Sequence, residues 1–281
     1  MAFSAARAFE ALVIQTSLGP RAPGSPGHRA AAFLIRAHLE ACGLEVHEQR
    51  WEVPLQPAPG WRAELRNILT RVPGRDRSRT LLLGTHWDTR WYADRESDTA
   101  SRVFPIPGAN DGASGTAVLL ELAEVLADQP PAHDVVLAFF DGEDIGDIDG
   151  HPFGVGSARF VAGADGFMPD AAVIVDMVGG AGMRLNVEGT SLEHDPASRE
   201  LFLRLFALGQ ARRLAPFEGG RCARVWSDQR PFHEAGIPAA LLIDIDYQWW
   251  HTHDDTVEHC SPDSLGAVGA VLEALVRGRE E

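Results

Sequence analysis

Apolar runs alternate along this chain with segments whose apolar residues repeat at helical spacing. Runs typical of buried strands lie at Thr80–Leu83, Val135–Phe140, Ala171–Asp176 and Ala239–Ile245. The clearest helical pattern lies at Gly112–Ala127, where apolar residues recur every three or four positions. Strands that alternate with helices favour an α/β fold around a mostly parallel sheet.

Weaker patterns complete the prediction. They indicate helices at Ser4–Leu18, His28–Ala41, Gly156–Ala162, Pro196–Leu208 and Ser261–Val276, a helical turn at Pro231–Ala235, strands at Leu44–Val53 and Ala63–Val72 with a Pro/Gly turn between them, and an edge strand at Leu185–Glu188. No Ser/Gly-rich or charged linker divides the chain, so residues 1–281 are expected to form a single domain. The predicted fold is a three-layer α/β/α sandwich with a mixed, mostly parallel central sheet.

Composition narrows the classes of partner. The formal net charge of −15 argues against nucleic acid and anionic membranes as partners, because both attract clustered Lys and Arg. The sequence has no apolar run of the roughly 20 residues that a membrane span needs. Its three cysteines show no CxxC spacing. The chain as written is expected to be cytoplasmic, or exported if a signal segment was removed, and the sequence leaves its oligomeric state open.

Acids and histidines follow the strand candidates at the point where each strand ends. Glu143 and Asp144 come directly after Val135–Phe140, where one carboxylate can bind a metal while the other moves protons. Three further strands are followed by His86, by Asp176 and by His251. α/β proteins place ligand sites at these strand ends, so we expect these side chains to lie together.

Each of these signals has an ordinary alternative when it is taken alone. Asp111 precedes a helix and could be its N-cap, and His86 with Asp88 could belong to a surface loop. His251 is preferred to His253 as a ligand because it lies nearer the strand end. Taken together, mixed His and carboxylate ligands suit a zinc ion with an open coordination position. The sequence has no GxSxG motif and no glycine-rich phosphate loop after a strand.

Six motifs in order resemble the zinc aminopeptidase and glutaminyl cyclase superfamily. They are GTHWDTR, GANDGASG, FFDGED, IVDMVG, GIPAALLI and WHTHDD, and the resemblance extends from Gly19 to the terminal helix. It implies a zinc exopeptidase-like fold and a peptide or small-molecule substrate with a free N-terminus. The closest branch is that of the bacterial glutaminyl-peptide cyclotransferases.

The resemblance also implies a role for particular residues. Asp111, Asp144 and His251 would hold one zinc ion, and a second site, if present, would use His86, Asp176 and Asp111. Asp88 would sit behind His86. Glu143 would transfer protons, with Asp176 and Asp228 as further catalytic residues, and Trp250, Trp87 and Trp91 would bind substrate.

Two branches of the superfamily compete for this chain. The Glu143-Asp144 pair, the loop Asp88–Asp94 and Trp250 beside His251 resemble the cyclases, and an indole there could wall a small pocket. Ser227 stands where cyclases have an acid, which leaves hydrolysis open.

The leading hypothesis is a zinc-dependent glutaminyl-peptide cyclotransferase that converts N-terminal glutamine to pyroglutamate with one zinc ion per chain. The alternatives are a two-zinc aminopeptidase and an inactive zinc-containing binding protein. The presence of Glu143 argues against the inactive protein, because a purely structural site needs no free base.

Overall fold

The strands and helices of the structure follow the apolar patterns of the sequence. The computed structural model describes residues 1–55, 60–163 and 166–278. The strands are β1 (Val46–Pro54), β2 (Arg62–Val72), β3 (Asp76–His86), β4 (His133–Phe140), β5 (Ala171–Asp176), β6 (Val187–Glu188), β7 (Cys222–Ala223) and β8 (Ala239–Ile243). The α-helices are α1 (Ala5–Ser17), α2 (Pro26–Ala41), α3 (Ala113–Asp128), α4 (Val155–Ala162), α5 (Gly189–Glu193), α6 (Pro196–Ala211), α7 (Gln229–Glu234) and α8 (Pro262–Arg277).

Within the described residues, six strands form the main sheet in the order β1-β2-β4-β3-β5-β8. Strands β4, β3, β5 and β8 run parallel to one another. Strand β2 is antiparallel to both β4 and β1. The prediction of a mixed, mostly parallel sheet is therefore confirmed.

Helices cover both faces of this sheet, and β4 shows why. Leu137 and Phe139 point into a core cluster shared with α1, α2, α3, α6 and α8. Their neighbours Ala138 and Phe140 point the other way and pack with Phe160 of α4 and with α7. A strand buried on both faces reads as a continuous apolar run, which is the pattern of Val135–Phe140. This arrangement confirms the three-layer sandwich.

Several elements differ from the prediction. Strand β3 begins at Asp76 rather than Thr80, because its first four residues are polar and exposed and so carry no apolar run. The segment Leu185–Glu188 does not add an edge strand to the main sheet, since its last two residues pair with β7 in a separate two-stranded sheet. The short helix α5 follows β6 and was not predicted.

Helix α8 has a side-chain cap at its N-terminus. The Ser261 hydroxyl accepts a hydrogen bond from the Asp263 backbone N–H at 3.1 Å, as expected of an N-cap. Residues 56–59 of the turn predicted between β1 and β2 lie outside the described residues. No helix among the described residues has the length and apolar character needed to cross a membrane.

The fold brings the candidate residues to one edge of the sheet. Strands β3, β4, β5 and β8 are parallel, so their carboxyl ends lie side by side. His86 and Asp176 are the last residues of β3 and β5, the loop before α3 carries Asp111, and the loops after β4 and β8 carry Glu143, Asp144 and His251. This edge is where open α/β sheets bind ligands.

Candidate metal centre and active site

Two overlapping sets of buried metal-ligand atoms lie at the carboxyl edge of the sheet. The first set is Asp111, Asp144 and His251, and the second is His86, Asp111 and Asp176. Within each set, the ligand atoms lie within 4.8 Å of one another. These are the two sets that the resemblance implied, and Asp111 belongs to both.

Asp111 reaches this position because of the loop before α3. Helix α3 is capped by Gly112, with φ of 92°, and Asp111 does not act as the N-cap. A Cβ at Gly112 would lie 2.5 Å from the Asp88 carbonyl oxygen, so only glycine lets this loop approach β3 so closely. The Asp111 side chain is left free for the site, and its Oδ2 has no hydrogen-bond partner among the described residues.

His251 is held by its backbone and by its second ring nitrogen. Its φ of 58° is uncommon for a residue with a side chain. Its Nε2 lies 3.3 Å from Asp144 Oδ1, and its Nδ1 lies 2.9 Å from Asp94 Oδ1. Burial opposes protonation, but the carboxylates of Asp144 and Asp94 outweigh it and raise the pKa of His251 to about 9. By contrast, His253 contacts Glu96.

Asp94 is a residue whose role the sequence did not reveal. Its Oδ2 accepts hydrogen bonds from Arg90 Nε at 2.9 Å and Nη2 at 2.6 Å. Arg90 in turn donates to the carbonyl oxygens of Asp144 and Gly146. The loop Asp88–Asp94 therefore links the ring of His251 to the backbone of Asp144. The only signal in the sequence was that this loop resembled the cyclase branch.

Asp88 links β3 to the loop after β4. Its two carboxylate oxygens accept the backbone N–H groups of Glu143 at 3.2 Å and Asp144 at 3.1 Å. Its Oδ1 also lies 3.5 Å from His86 Nδ1, as expected for a residue behind that histidine. The contacts of Asp88 with the two backbone N–H groups are shorter than its contact with His86, so Asp88 fixes the position of the backbone that carries Glu143 and Asp144.

Asp255 holds the backbone of the loop that carries Asp111. Its carboxylate accepts the backbone N–H groups of Asn110 at 2.8 Å and Asp111 at 3.0 Å, together with the Tyr247 hydroxyl at 3.0 Å. The buried Arg21 donates to the carbonyl oxygen of Gly108 in the same loop. The prediction had treated the second Asp of the WHTHDD motif only as part of a motif, because Asn110 and Asp111 are more than 100 residues away from it in the sequence.

Glu143 lies beside the ligand atoms but belongs to neither set. It lines a cavity of about 970 Å³ together with Asp111, Asp144, Asp176 and His251. Burial raises the pKa of Glu143 well above its usual range; His86 opposes the shift, and repulsion from Asp176 and Asp228 adds to it. A buried carboxyl group with a raised pKa is suited to accepting and returning a proton.

Ser227, which departs from the cyclase pattern, contacts one of the candidate ligands. Its hydroxyl donates to Asp176 Oδ2 at 2.9 Å, while Asp176 Oδ1 lies 3.3 Å from His86 Nε2. The next residue, Asp228, is fully buried and accepts a hydrogen bond from Ser157 Oγ at 2.6 Å. Asp228 does not line the cavity, whereas its neighbour Ser227 and the other expected catalytic residues, Glu143 and Asp176, do.

The three tryptophans expected to bind substrate have different positions. Trp250 lines the cavity next to His251, as predicted. Trp87 is fully buried, stacks on His28 and donates its indole N–H to the Arg66 carbonyl oxygen, so it does not reach the cavity. Trp91 packs in a separate apolar cluster and is also absent from the cavity wall. An aromatic side chain near a motif can face the core, and the sequence does not show which way it points.

The residues present fit a zinc ion. Burial and the charge of Asp144 raise the pKa of the Asp111 carboxyl to about 7, because a negative charge is less stable away from water and next to another negative charge. Oδ2 of Asp111 and Oδ2 of Asp144 are buried without a hydrogen-bond partner among the described residues. Two carboxylates and one imidazole form a set that zinc accepts in catalytic sites, and a bound cation would compensate these charges.

The sequence profile of peptidase family M28 matches residues 67–276. The chain belongs to peptidase family M28. The structure of a glutaminyl cyclase from Bacteroides thetaiotaomicron, bound to N-acetylhistamine, is similar with a TM-score of 0.89 and 28% identity over 99% of this chain and 98% of that one. A leucine aminopeptidase precursor from the same organism has the same TM-score at 26% identity, over the same shares of the two chains.

Among curated relatives, the aminopeptidase YwaD of Bacillus subtilis is 30% identical over 60% of this chain and 37% of its own length. The first curated relatives are matched over 16% to 54% of their own lengths, and two of them are probable zinc metalloproteases. Several solved structures that align over nearly the whole chain are described as glutaminyl cyclases. Overall similarity supports an enzyme of this family, and the choice between the two activities depends on the site.

Proposed function

We propose that this protein is a zinc-dependent glutaminyl-peptide cyclotransferase. The observation that carries the proposal is that Trp250 and Glu143 line one cavity with the set Asp111, Asp144 and His251. An aromatic wall can hold the side chain of an N-terminal glutamine against the candidate metal site. The free carboxyl group of Glu143 is then available for proton transfer.

The reaction forms a bond between the α-nitrogen and the γ-carbonyl carbon of glutamine, and it breaks the bond from that carbon to the amide nitrogen. Zinc held by Asp111, Asp144 and His251 would supply a Lewis acid for the γ-carbonyl group. Glu143 accepts a proton from the α-amine as the new bond forms and gives one to the departing ammonia. Trp250 holds the side chain so that amine and carbonyl meet within one molecule, which removes the need for a water nucleophile.

The second candidate is a two-zinc aminopeptidase, and a specific observation favours it. His86, Asp111 and Asp176 form a second set of ligand atoms that shares Asp111 with the first. A hydroxyl group, that of Ser227, and not a carboxyl group donates to Asp176 Oδ2 at 2.9 Å. The cavity of about 970 Å³ is also larger than the small pocket that the sequence suggested.

Zinc titration of the metal-free protein separates the two candidates. Activity on a Gln-initiated and a Leu-initiated dipeptide is measured as zinc is added. We expect pyroglutamate formation that reaches its maximum at one zinc ion per chain, with no comparable release of leucine. Leucine release that rises until two zinc ions are bound would support the aminopeptidase instead.

A further inference from the structure

Arginines surround the cavity of a chain whose formal net charge is −15. Arg95, Arg221, Arg224 and Arg230 all line it. The candidate ligands Asp111 and Asp144 on the cavity wall are buried, whereas the four arginines are exposed and outnumber the two exposed acids of the wall, Asp147 and Asp246. The outer part of the cavity therefore offers positive side chains to anything that extends from the buried site toward solvent.

Three of these arginines already have carboxylate partners. Arg221 pairs with Asp246 at 2.6 Å, Arg224 pairs with Glu193, and Arg230 pairs with Glu234 at 2.6 Å. Arg95 differs from them, because in the part of the chain that the structure describes its guanidinium makes no hydrogen bond and no ion pair. Its donors are free to bind a ligand.

Arg95 is nevertheless held in place. Its guanidinium carbon lies 4.0 Å from the ring centroid of Trp250, in a cation–π contact. Its backbone N–H donates to the carbonyl oxygen of His251 at 3.3 Å. The guanidinium thus lies directly over the indole that walls the candidate active site, with its N–H groups exposed. A stacked guanidinium keeps its planar fork of donors, which matches the two oxygens of a carboxylate.

We propose that Arg95 recognises a carboxylate on the residue that follows the N-terminal residue of the peptide substrate. The inference rests on the proposed function, because it places the N-terminal glutamine against Trp250 and His251. A peptide bound in that way extends outward past Trp250, where Arg95 lies. The cavity has room for more than one residue of the peptide. The preferred substrates are therefore Gln-initiated peptides with an acidic second residue.

The expected effect is modest and local. Exposed ion pairs contribute little, and the corresponding preference for an acidic over a neutral second residue is about 2- to 5-fold in kcat/KM. The net charge of the whole chain repels acidic peptides at long range, so the preference depends on the contact with Arg95 and not on the overall field. A group that binds the substrate in both ground and transition states changes mainly KM.

The test compares three amidated dipeptides that differ only in the second residue: Gln-Glu, Gln-Gln and Gln-Lys. Their kcat/KM values are measured with the wild-type protein and with Arg95→Gln at one ionic strength. Arg230→Gln is the matched control, because Arg230 also lies over a tryptophan of the cavity wall, Trp226 at 4.2 Å, but is paired with Glu234. Arg95→Lys keeps the charge and loses the planar fork.

We expect the order Glu, Gln, Lys in the wild-type protein and in Arg230→Gln, with the differences mainly in KM. In Arg95→Gln the three values should become nearly equal, and in Arg95→Lys the preference should be partly kept. Equal values in the wild-type protein, or an acidic preference that survives in Arg95→Gln, would overturn the inference while leaving the cyclisation of Gln-Gln intact. If none of the three peptides is cyclised, the proposed function itself has failed, and the inference fails with it.

Discussion

Asp94 Oδ1 lies 2.9 Å from Nδ1 of His251, whose other ring nitrogen faces Asp144 and Asp111. A carboxylate in this position fixes which nitrogen of the imidazole carries its proton and how the ring is oriented. Burial opposes the charge on Asp94, but its contacts with His251 and Arg90 lower its pKa to about 2, so it stays ionised.

Replacing Asp94 should therefore weaken zinc binding although Asp94 is not a ligand. We expect Asp94→Ala to lower zinc affinity by about 10- to 100-fold, the usual effect of removing such a partner. Zinc affinity is measured by competition with a chelator. Asp98→Ala is the control, since Asp98 lies in the same exposed loop and contacts Ser101 rather than His251. Equal zinc affinities in Asp94→Ala and the wild-type protein would contradict this role.

Removing Asp111 should abolish the metal site, because Asp111 belongs to both sets of ligand atoms. Asp111→Ala is expected to bind no zinc and to lose the rise in melting temperature that zinc gives the wild-type protein, since a ligand stabilises the state that binds it. Asp176→Ala changes only the second set and should keep one zinc ion per chain. Elemental analysis and thermal unfolding test both variants. Full zinc content in Asp111→Ala would show that the ligands are assigned wrongly.

Asp255 should stabilise the fold even without metal. Asp255→Asn replaces one carboxylate oxygen with an amide N–H₂ group, which cannot accept a hydrogen bond. The carboxylate accepts from the backbone N–H groups of Asn110 and Asp111 and from the Tyr247 hydroxyl, so at least one of these donors loses its acceptor. Leaving a buried donor without an acceptor costs about 1–3 kcal/mol. Urea unfolding of the metal-free protein measures this cost. Asp254→Asn is the matched control, because Asp254 is the exposed neighbour, and an equal loss in both variants would contradict the assignment.

Glu143 is expected to be the proton-transferring group. Glu143→Gln keeps the size of the side chain but removes the base, so turnover should fall by about 10²–10⁴. Zinc content should remain that of the wild-type protein, because Glu143 belongs to neither set of ligand atoms. The measurement is the rate of product formation by zinc-loaded protein. Wild-type turnover in a zinc-loaded Glu143→Gln variant would remove Glu143 from the reaction.

The sequence predicts the sheet well where strands are buried on both faces. Val135–Phe140 and Ala171–Asp176 are continuous apolar runs because helices cover both of their sides, and their limits were found within two residues. The start of β3 was missed because Asp76–Arg79 are polar and exposed, although they continue the strand. Apolar runs in the sequence show which residues are buried. Exposed residues that pair within a sheet produce no apolar run, so the sequence does not reveal them.

The candidate ligands could be found in the sequence because each lies in a motif at the end of a strand or just before a helix. The residues that hold these ligands in place could not be found in this way. Asp255 acts on Asp111 across more than 100 residues of sequence, and Asp94 acts on His251 from the loop after β3. Trp87 was misjudged because its side chain turns into the core against His28. Which way a side chain points depends on tertiary packing, and the sequence motif contains no information about it.

The most direct test of the account is the product formed from a Gln-initiated dipeptide, identified by mass spectrometry. Zinc-loaded wild-type protein and Glu143→Gln are incubated with this dipeptide and with a Leu-initiated one. We predict a product lighter than the Gln dipeptide by one ammonia, formed by the wild-type protein and at a much lower rate by Glu143→Gln, with only traces of free leucine. Rapid release of leucine together with an unchanged Gln dipeptide would contradict the proposed cyclisation.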